Sequence, residues 1–70
     1  MTLEEKLQTI ERVLNVEPNT LTLDTLLADT VEWDSLNILN LLIEFTVWRT
    51  DLEFNNLHAC KTVGDLCTLV

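Results

Sequence analysis

The sequence predicts an all-α fold: a small four-helix bundle with three main helices, a short third helix and a long loop between helices 1 and 2. One glycine and one proline in 70 residues are too few for a protein rich in hairpins. Apolar residues recur at helical spacing, and residues typical of helix N-termini precede several segments. A chain of 70 residues corresponds to one domain, 1–70.

The first helix is predicted to begin after Thr2 and to run to Leu14. Thr2 and Glu5 form the T-x-x-E pattern of a capping box. The apolar positions that follow repeat every three or four residues and predict one buried stripe: Leu3, Leu7, Ile10 and Leu14.

Residues 15–34 are predicted to form a long connection, with a turn at Pro18 and Asn19. Twenty structureless residues are unusual in a compact domain. We therefore expect apolar side chains to pin this loop to the core, with one helical turn near 25–28. The apolar side chains are Val16, Leu21, Leu23, Leu26, Leu27 and Val31.

The second helix is predicted to start at Ser35, with Asp34 as its N-cap, and to end near Trp48. Trp33 and Ile38 then have the spacing of a hydrophobic staple. The inward face is assigned to Leu36, Leu39, Leu42 or Ile43, and Trp48. Four further apolar residues, Ile38, Leu41, Phe45 and Val47, predict contact with several neighbours.

The C-terminal part is predicted to hold two more helices. Residues 55–60 are assigned to the short third helix. Thr62 and Asp65 resemble another N-terminal cap, and the last helix is predicted to continue from there through Val70.

The charge balance excludes several classes of partner. Four Lys or Arg against twelve Asp or Glu give a net charge of -8, which repels nucleic acids and anionic membranes and favours partners with basic patches. The N-terminus lacks the pattern of a secretory signal. We expect a soluble, monomeric, cytoplasmic protein.

Cys60, Cys67 and His58 offer a weak case for a metal site. Three residues are fewer ligands than a structural zinc needs. If both cysteines are helical, their separation of seven residues is too long for a local disulfide. Buried thiols acting as small apolar side chains are the simpler interpretation.

Ser35 admits three interpretations. A small polar residue is common in the first turn of a helix. A hydrolytic nucleophile needs a nearby base, but His58 is the single imidazole and the G-x-S-x-G pattern is missing. A modification site is the third, because a phosphodiester on Ser35 would lie at the positive end of the helix dipole.

The pattern D-S-L at 34–36, heading a helix after a long loop, resembles the phosphopantetheine attachment motif of acyl carrier proteins. The approach L-L-A-D-T-V-E-W-D-S-L and the segment K-T-V-G-D-L at 61–66 are similar to the corresponding parts of that family. The helix order, length and acidity extend the resemblance over nearly all 70 residues.

The resemblance implies a carrier that is not itself an enzyme. A phosphopantetheinyl transferase would attach 4'-phosphopantetheine from coenzyme A to Ser35, using magnesium, with Asp34 and Leu36 completing the motif. The arm would hold acyl groups as thioesters for acyl-loading and acyl-processing enzymes. The pathway would be fatty-acid biosynthesis or specialised lipid, polyketide, peptide or polysaccharide metabolism.

The serine helix would also supply the surface that partners dock on. We assign this surface to Trp33, Ile38, Asn40, Leu41 and Glu44. The chain departs from many fatty-acid carriers, because Glu32 and Trp33 stand where those have glycine and alanine, and Glu44 is the single acid between 35 and 48. We therefore expect a docking patch with less negative charge than that of fatty-acid carriers. The alternative function is an interaction domain of the same fold that is never modified.

Overall fold

Four α-helices and one 3-10 turn follow one another along residues 2–70, which are the residues that the computed structural model describes. The elements are α1 (Leu3–Leu14), the 3-10 turn (Leu27–Asp29), α2 (Ser35–Phe45), α3 (Phe54–His58) and α4 (Val63–Cys67). The predicted all-α, four-helix fold with a long first connection is confirmed.

Helix α1 begins with the predicted capping box. The Thr2 hydroxyl accepts from the amide of Glu5 at 3.2 Å, and the Glu5 carboxylate accepts from the amide of Thr2 at 3.3 Å. The helix ends at Leu14, and the cap residue that follows, Asn15, has a left-handed φ of 59° that stops the helix. Ile10 and Leu14 are buried, whereas Leu3 is 48% exposed, so the predicted stripe is buried only beyond the first turn.

Helix α2 starts as predicted and ends one turn early. Asp34 caps it by accepting from the amide of Asn37 at 2.8 Å. The helix stops at Phe45, and 46–48 form a turn. The β-branched Thr46 and Val47 have low helix propensity, and the Thr46 hydroxyl donates back to the carbonyl of Ile43 at 2.8 Å.

The inward face of α2 is the opposite of the predicted one. Ile38, Leu41 and Phe45 are buried, and they pack in the core between α1 and α3. The residues assigned inward are largely exposed, at 67% for Leu36, 46% for Leu39, 61% for Ile43 and 48% for Trp48; Leu42 is half-buried. The prediction was wrong because both faces are apolar, so periodicity could not choose between them.

Helices α3 and α4 are both short. Glu53 and Asn56 form a capping box for α3, which begins one residue earlier than predicted. The predicted Thr62–Asp65 box is present at α4. This helix has five residues and ends at Cys67, so it is not the main helix that was expected. The ammonium of Lys6 donates hydrogen bonds to the carbonyl oxygens of Cys67 and Val70. The Cys67 carbonyl is one of those that a helix C-terminus leaves without a partner inside the helix.

The long loop is pinned at both its side chains and its backbone. Leu21 and Leu27 are buried, but Leu23, Leu26 and Val31 are 41%, 50% and 90% exposed, contrary to expectation. The expected turns occur at Pro18–Asn19 and in the 3-10 segment. The loop also pairs with the start of α4: the amides of Val63 and Gly64 donate to the carbonyls of Thr25 and Leu23 at 3.0 and 2.9 Å.

Candidate functional site

Ser35 is an exposed residue at a fixed junction between the long loop and α2. Two hydrogen bonds from Asn37 fix the backbone before Ser35. The backbone amide of Asn37 donates to the Asp34 carboxylate, and its side-chain amide donates to the carbonyl of Glu32, both at 2.8 Å. The amide of Trp33 donates to Thr30 at 3.0 Å. The serine is therefore presented to solvent by an ordered backbone.

The first turn of α2 suits an anion attached to Ser35. Amides at a helix N-terminus and the helix dipole favour negative charge by about 0.3–1 kcal/mol at an exposed position. The Asp34 carboxylate already uses the amide of Asn37, and its charge opposes a second anion. A group on Ser35 would extend away from the buried side of α2, where Ile38 and Leu41 lie.

The predicted partner residues fall into two groups. Asn40 is exposed, Trp33 is half-buried against the core, and Glu44 pairs with Arg12 of α1 through two contacts of 3.3 Å. Ile38 and Leu41 are only 3% and 0% exposed. Their assignment to the partner surface was wrong, since both side chains belong to the core and present almost no surface to a partner.

The outward side of α2 is apolar instead. Leu36, Leu39, Ile43 and Val47, which we call the α2 outer face, are 67%, 46%, 61% and 75% exposed. Their spacing of three or four residues places them along one side of the helix, beginning next to Ser35. Leu36 and Leu39 were predicted to face inward, as was Ile43 as the alternative to Leu42, but all three lie on the surface. The staple spacing of Trp33 and Ile38 could have identified them, because it turns Ile38 inward.

A groove of about 350 Å³ lies beside Trp33. It is bounded by the loop, the 3-10 turn and the link between α3 and α4, and it is lined by Leu26, Leu27, Ala28, Trp33, His58, Cys60 and Lys61. The His58 ring stacks on Phe54, with ring centroids 5.8 Å apart. This contact holds the imidazole against its own helix.

Both cysteines are free thiols. Burial raises the pKa of Cys60, and the negative charge of Asp65 adds to the rise. Burial also raises the pKa of Cys67, partly opposed by the charge of Lys6. Because the thiolate is the nucleophile and the metal ligand, these shifts favour inert thiols. Within residues 2–70, no three His, Cys, Asp or Glu side chains are grouped to hold a metal.

Comparisons with protein-family models, with curated proteins and with solved structures give no match for this chain. In the described part of the chain, no helix has the length and apolar character needed to cross a bilayer.

Proposed function

We propose that the chain is an acyl carrier protein, modified on Ser35 with 4'-phosphopantetheine. The observation that supports this proposal most strongly is the position of Ser35. It is exposed, it is the first residue of α2, and it follows a loop whose side chains and backbone contact the rest of the fold. Ser35 is also the single serine of the sequence. A carrier is not an enzyme, so a small bundle suits the role.

The residues at the junction between the long loop and α2 fit an attached 4'-phosphopantetheine. Ser35 would supply the oxygen of the phosphodiester and lose its hydroxyl proton, and adenosine 3',5'-bisphosphate would leave as the pyrophosphate bond of coenzyme A breaks. Asp34 holds the turn by capping α2, and the N-terminal amides of α2 favour the phosphate charge. Leu36 lies on the α2 outer face beside the attachment point. The bound arm supplies a terminal thiol that carries acyl groups as thioesters.

The partners of this function are a phosphopantetheinyl transferase and the enzymes that load and process the acyl group. The α2 outer face gives them an apolar surface next to Ser35, and the chain's net charge of -8 steers partners with basic patches. We place the carrier in the cytoplasm, in a fatty-acid-like or specialised pathway.

The test is the intact mass of the chain after incubation with coenzyme A, magnesium and a broad-specificity phosphopantetheinyl transferase. We expect the native chain to gain the mass of one phosphopantetheine and Ser35→Ala to gain none. Thr30→Ala, which removes a hydroxyl from the same loop, should be modified like the native chain. A gain by Ser35→Ala, or no gain by the native chain while a control carrier is modified, would contradict the proposal.

The apolar α2 outer face also favours a second candidate, an interaction domain that is never modified. Exposed apolar side chains at helical spacing are typical of protein-binding surfaces. This candidate predicts that a partner binds native chain and Ser35→Ala with equal affinity, and that the chain from its own cells has its unmodified mass.

A further inference from the structure

Helix α2 begins differently from helices α1, α3 and α4. Each of those three begins with a full capping box, in which the side chain of the third helical residue accepts a hydrogen bond from the backbone amide of the cap. These third residues are Glu5, Asn56 and Asp65. In α2 the third residue is Asn37, and its side chain donates instead. Its amide nitrogen lies 2.8 Å from the carbonyl oxygen of Glu32, two residues before the Asp34 cap.

The carbonyl oxygen of Glu32 is the centre of a small hydrogen-bond network ahead of Ser35. It accepts from the side chain of Asn37 and, at 3.1 Å, from the backbone amide of Asp34. These are the two hydrogen bonds that its two lone pairs allow. The backbone amide of Asn37 also donates to the Asp34 carboxylate at 2.8 Å. A single residue of α2 is therefore bonded to both neighbours of Trp33 in the chain.

Little burial holds the turn at residues 32–34. Glu32 and Asp34 are exposed, and Trp33 is half-buried. Its backbone hydrogen bonds are local, since the amide of Trp33 donates to Thr30 and the amide of Asp34 donates to Glu32. Surface segments with few buried contacts open most readily. The Asn37 side chain ties this turn to α2, so its loss should free the backbone that leads to the helix.

We propose that Asn37 is a positioning residue for the transfer of 4'-phosphopantetheine. By holding the Glu32 carbonyl, it fixes the backbone from which Ser35 extends and so the direction in which the Ser35 hydroxyl meets the transferase. Asn37 is half-buried and acts through the backbone. This inference rests on the proposed function, because it concerns the rate of that reaction and not the identity of the acceptor.

The physical reason is the entropy of orienting the nucleophile. The Ser35 oxygen would bond to phosphorus and pass its proton to a base of the transferase, and adenosine 3',5'-bisphosphate would leave as the pyrophosphate bond of coenzyme A breaks. A hydroxyl that is already held in one direction loses less freedom in reaching this transition state. One hydrogen bond changes the population of an ordered turn by about three- to tenfold, and we expect the rate to depend on Asn37 to that extent.

The test compares Asn37→Ala with Asn40→Ala. Both replace an asparagine of α2 by the better helix former, but only Asn37→Ala removes the hydrogen bond to Glu32. The backbone amide at position 37 remains, so the Asp34 cap is kept. Transfer is followed as mass gain over time, at saturating coenzyme A and varied carrier concentration. We expect Asn37→Ala to lower kcat by about three- to tenfold and to change KM by less than about twofold, whereas Asn40→Ala should match the native chain.

NMR of the unmodified variants gives a second readout. Backbone order parameters at Trp33 and Asp34 should fall below the rigid value of about 0.85 in Asn37→Ala and stay native in Asn40→Ala. A native kcat or a rigid turn in Asn37→Ala, an equal fall in Asn40→Ala, or a change confined to KM would overturn the proposal. No modification of the native chain, while a control carrier is modified, would instead refute the proposed function and this inference together.

Discussion

The amide of Gly64 lies against the carbonyl oxygen of Leu23, and the two atoms form a hydrogen bond of 2.9 Å. A Cβ atom at position 64 would lie 2.9 Å from the same oxygen. The single glycine of the chain therefore permits the close approach that joins the long loop to α4.

Gly64→Ala tests the close contact between Gly64 and the carbonyl of Leu23. In an unobstructed helix the change would stabilise the protein by about 1 kcal/mol. Here the methyl group meets backbone, so we expect the free energy of unfolding to fall by about 1–3 kcal/mol. Urea unfolding gives the value, and a more stable variant would contradict the observed contact.

Glu11 fixes the other end of the loop. Its side chain is buried, at 6% exposure, and its carboxylate accepts from the amide of Leu21 at 3.2 Å. Glu11→Ala leaves that amide without its partner, and we expect a loss of about 1–3 kcal/mol in unfolding free energy. Gln8→Ala, at an exposed position of the same helix, should change it by less than about 0.5 kcal/mol. Equal losses in the two variants would exclude this role.

The two apolar faces of α2 should respond differently to truncation. Leu41→Ala opens a cavity in the core and should cost about 2–5 kcal/mol. Ile43→Ala removes an exposed side chain and should change the unfolding free energy by about 0.5 kcal/mol or less. Thermal and urea unfolding of both variants checks the orientation; a larger loss at Ile43 would mean that α2 is rotated.

Asp65 makes the stability of the fold depend on pH under acidic conditions. Hydrogen bonds from the backbone amides of Lys61 and Thr62 lower the pKa of its carboxyl group. The unfolded chain therefore takes up this proton first, near a pKa of about 3.9. The contribution of Asp65 is present above that pH and is lost as pH falls through the lower folded pKa.

We expect Asp65→Asn to be less stable than the native chain near neutral pH and to lose less stability on acidification. The measurement is the urea midpoint of each protein at about pH 6 and about pH 3. Asp24→Asn, at an exposed loop position, is the matched control. An Asp65→Asn midpoint that falls as much as the native midpoint would rule out this contribution.

Local signals in the sequence predicted the starts of the helices well. The capping boxes at Thr2 and Thr62 and the Asp34 cap each depend on residues three positions apart, so they are visible without knowledge of the fold. The exposed Ser35 follows directly from the Asp34 cap. The position of Ser35 at the start of α2 was therefore predictable to the residue.

Features set by distant contacts were not predictable. The end of the last helix depends on Lys6, more than sixty residues away, which binds the carbonyl of Cys67. The groove depends on the pairing of Leu27 with Lys61. Periodicity and capping describe neighbours along the chain and contain no information about these contacts.

Modification of Ser35 is tested most directly by the intact mass of the chain isolated from the cells that make it, with peptide mapping of the modified residue. We expect a population heavier than the unmodified chain by one 4'-phosphopantetheine, free or acylated, located on Ser35. A chain found entirely at its unmodified mass, in cells whose other carriers are modified, would contradict it and leave the interaction domain as the function.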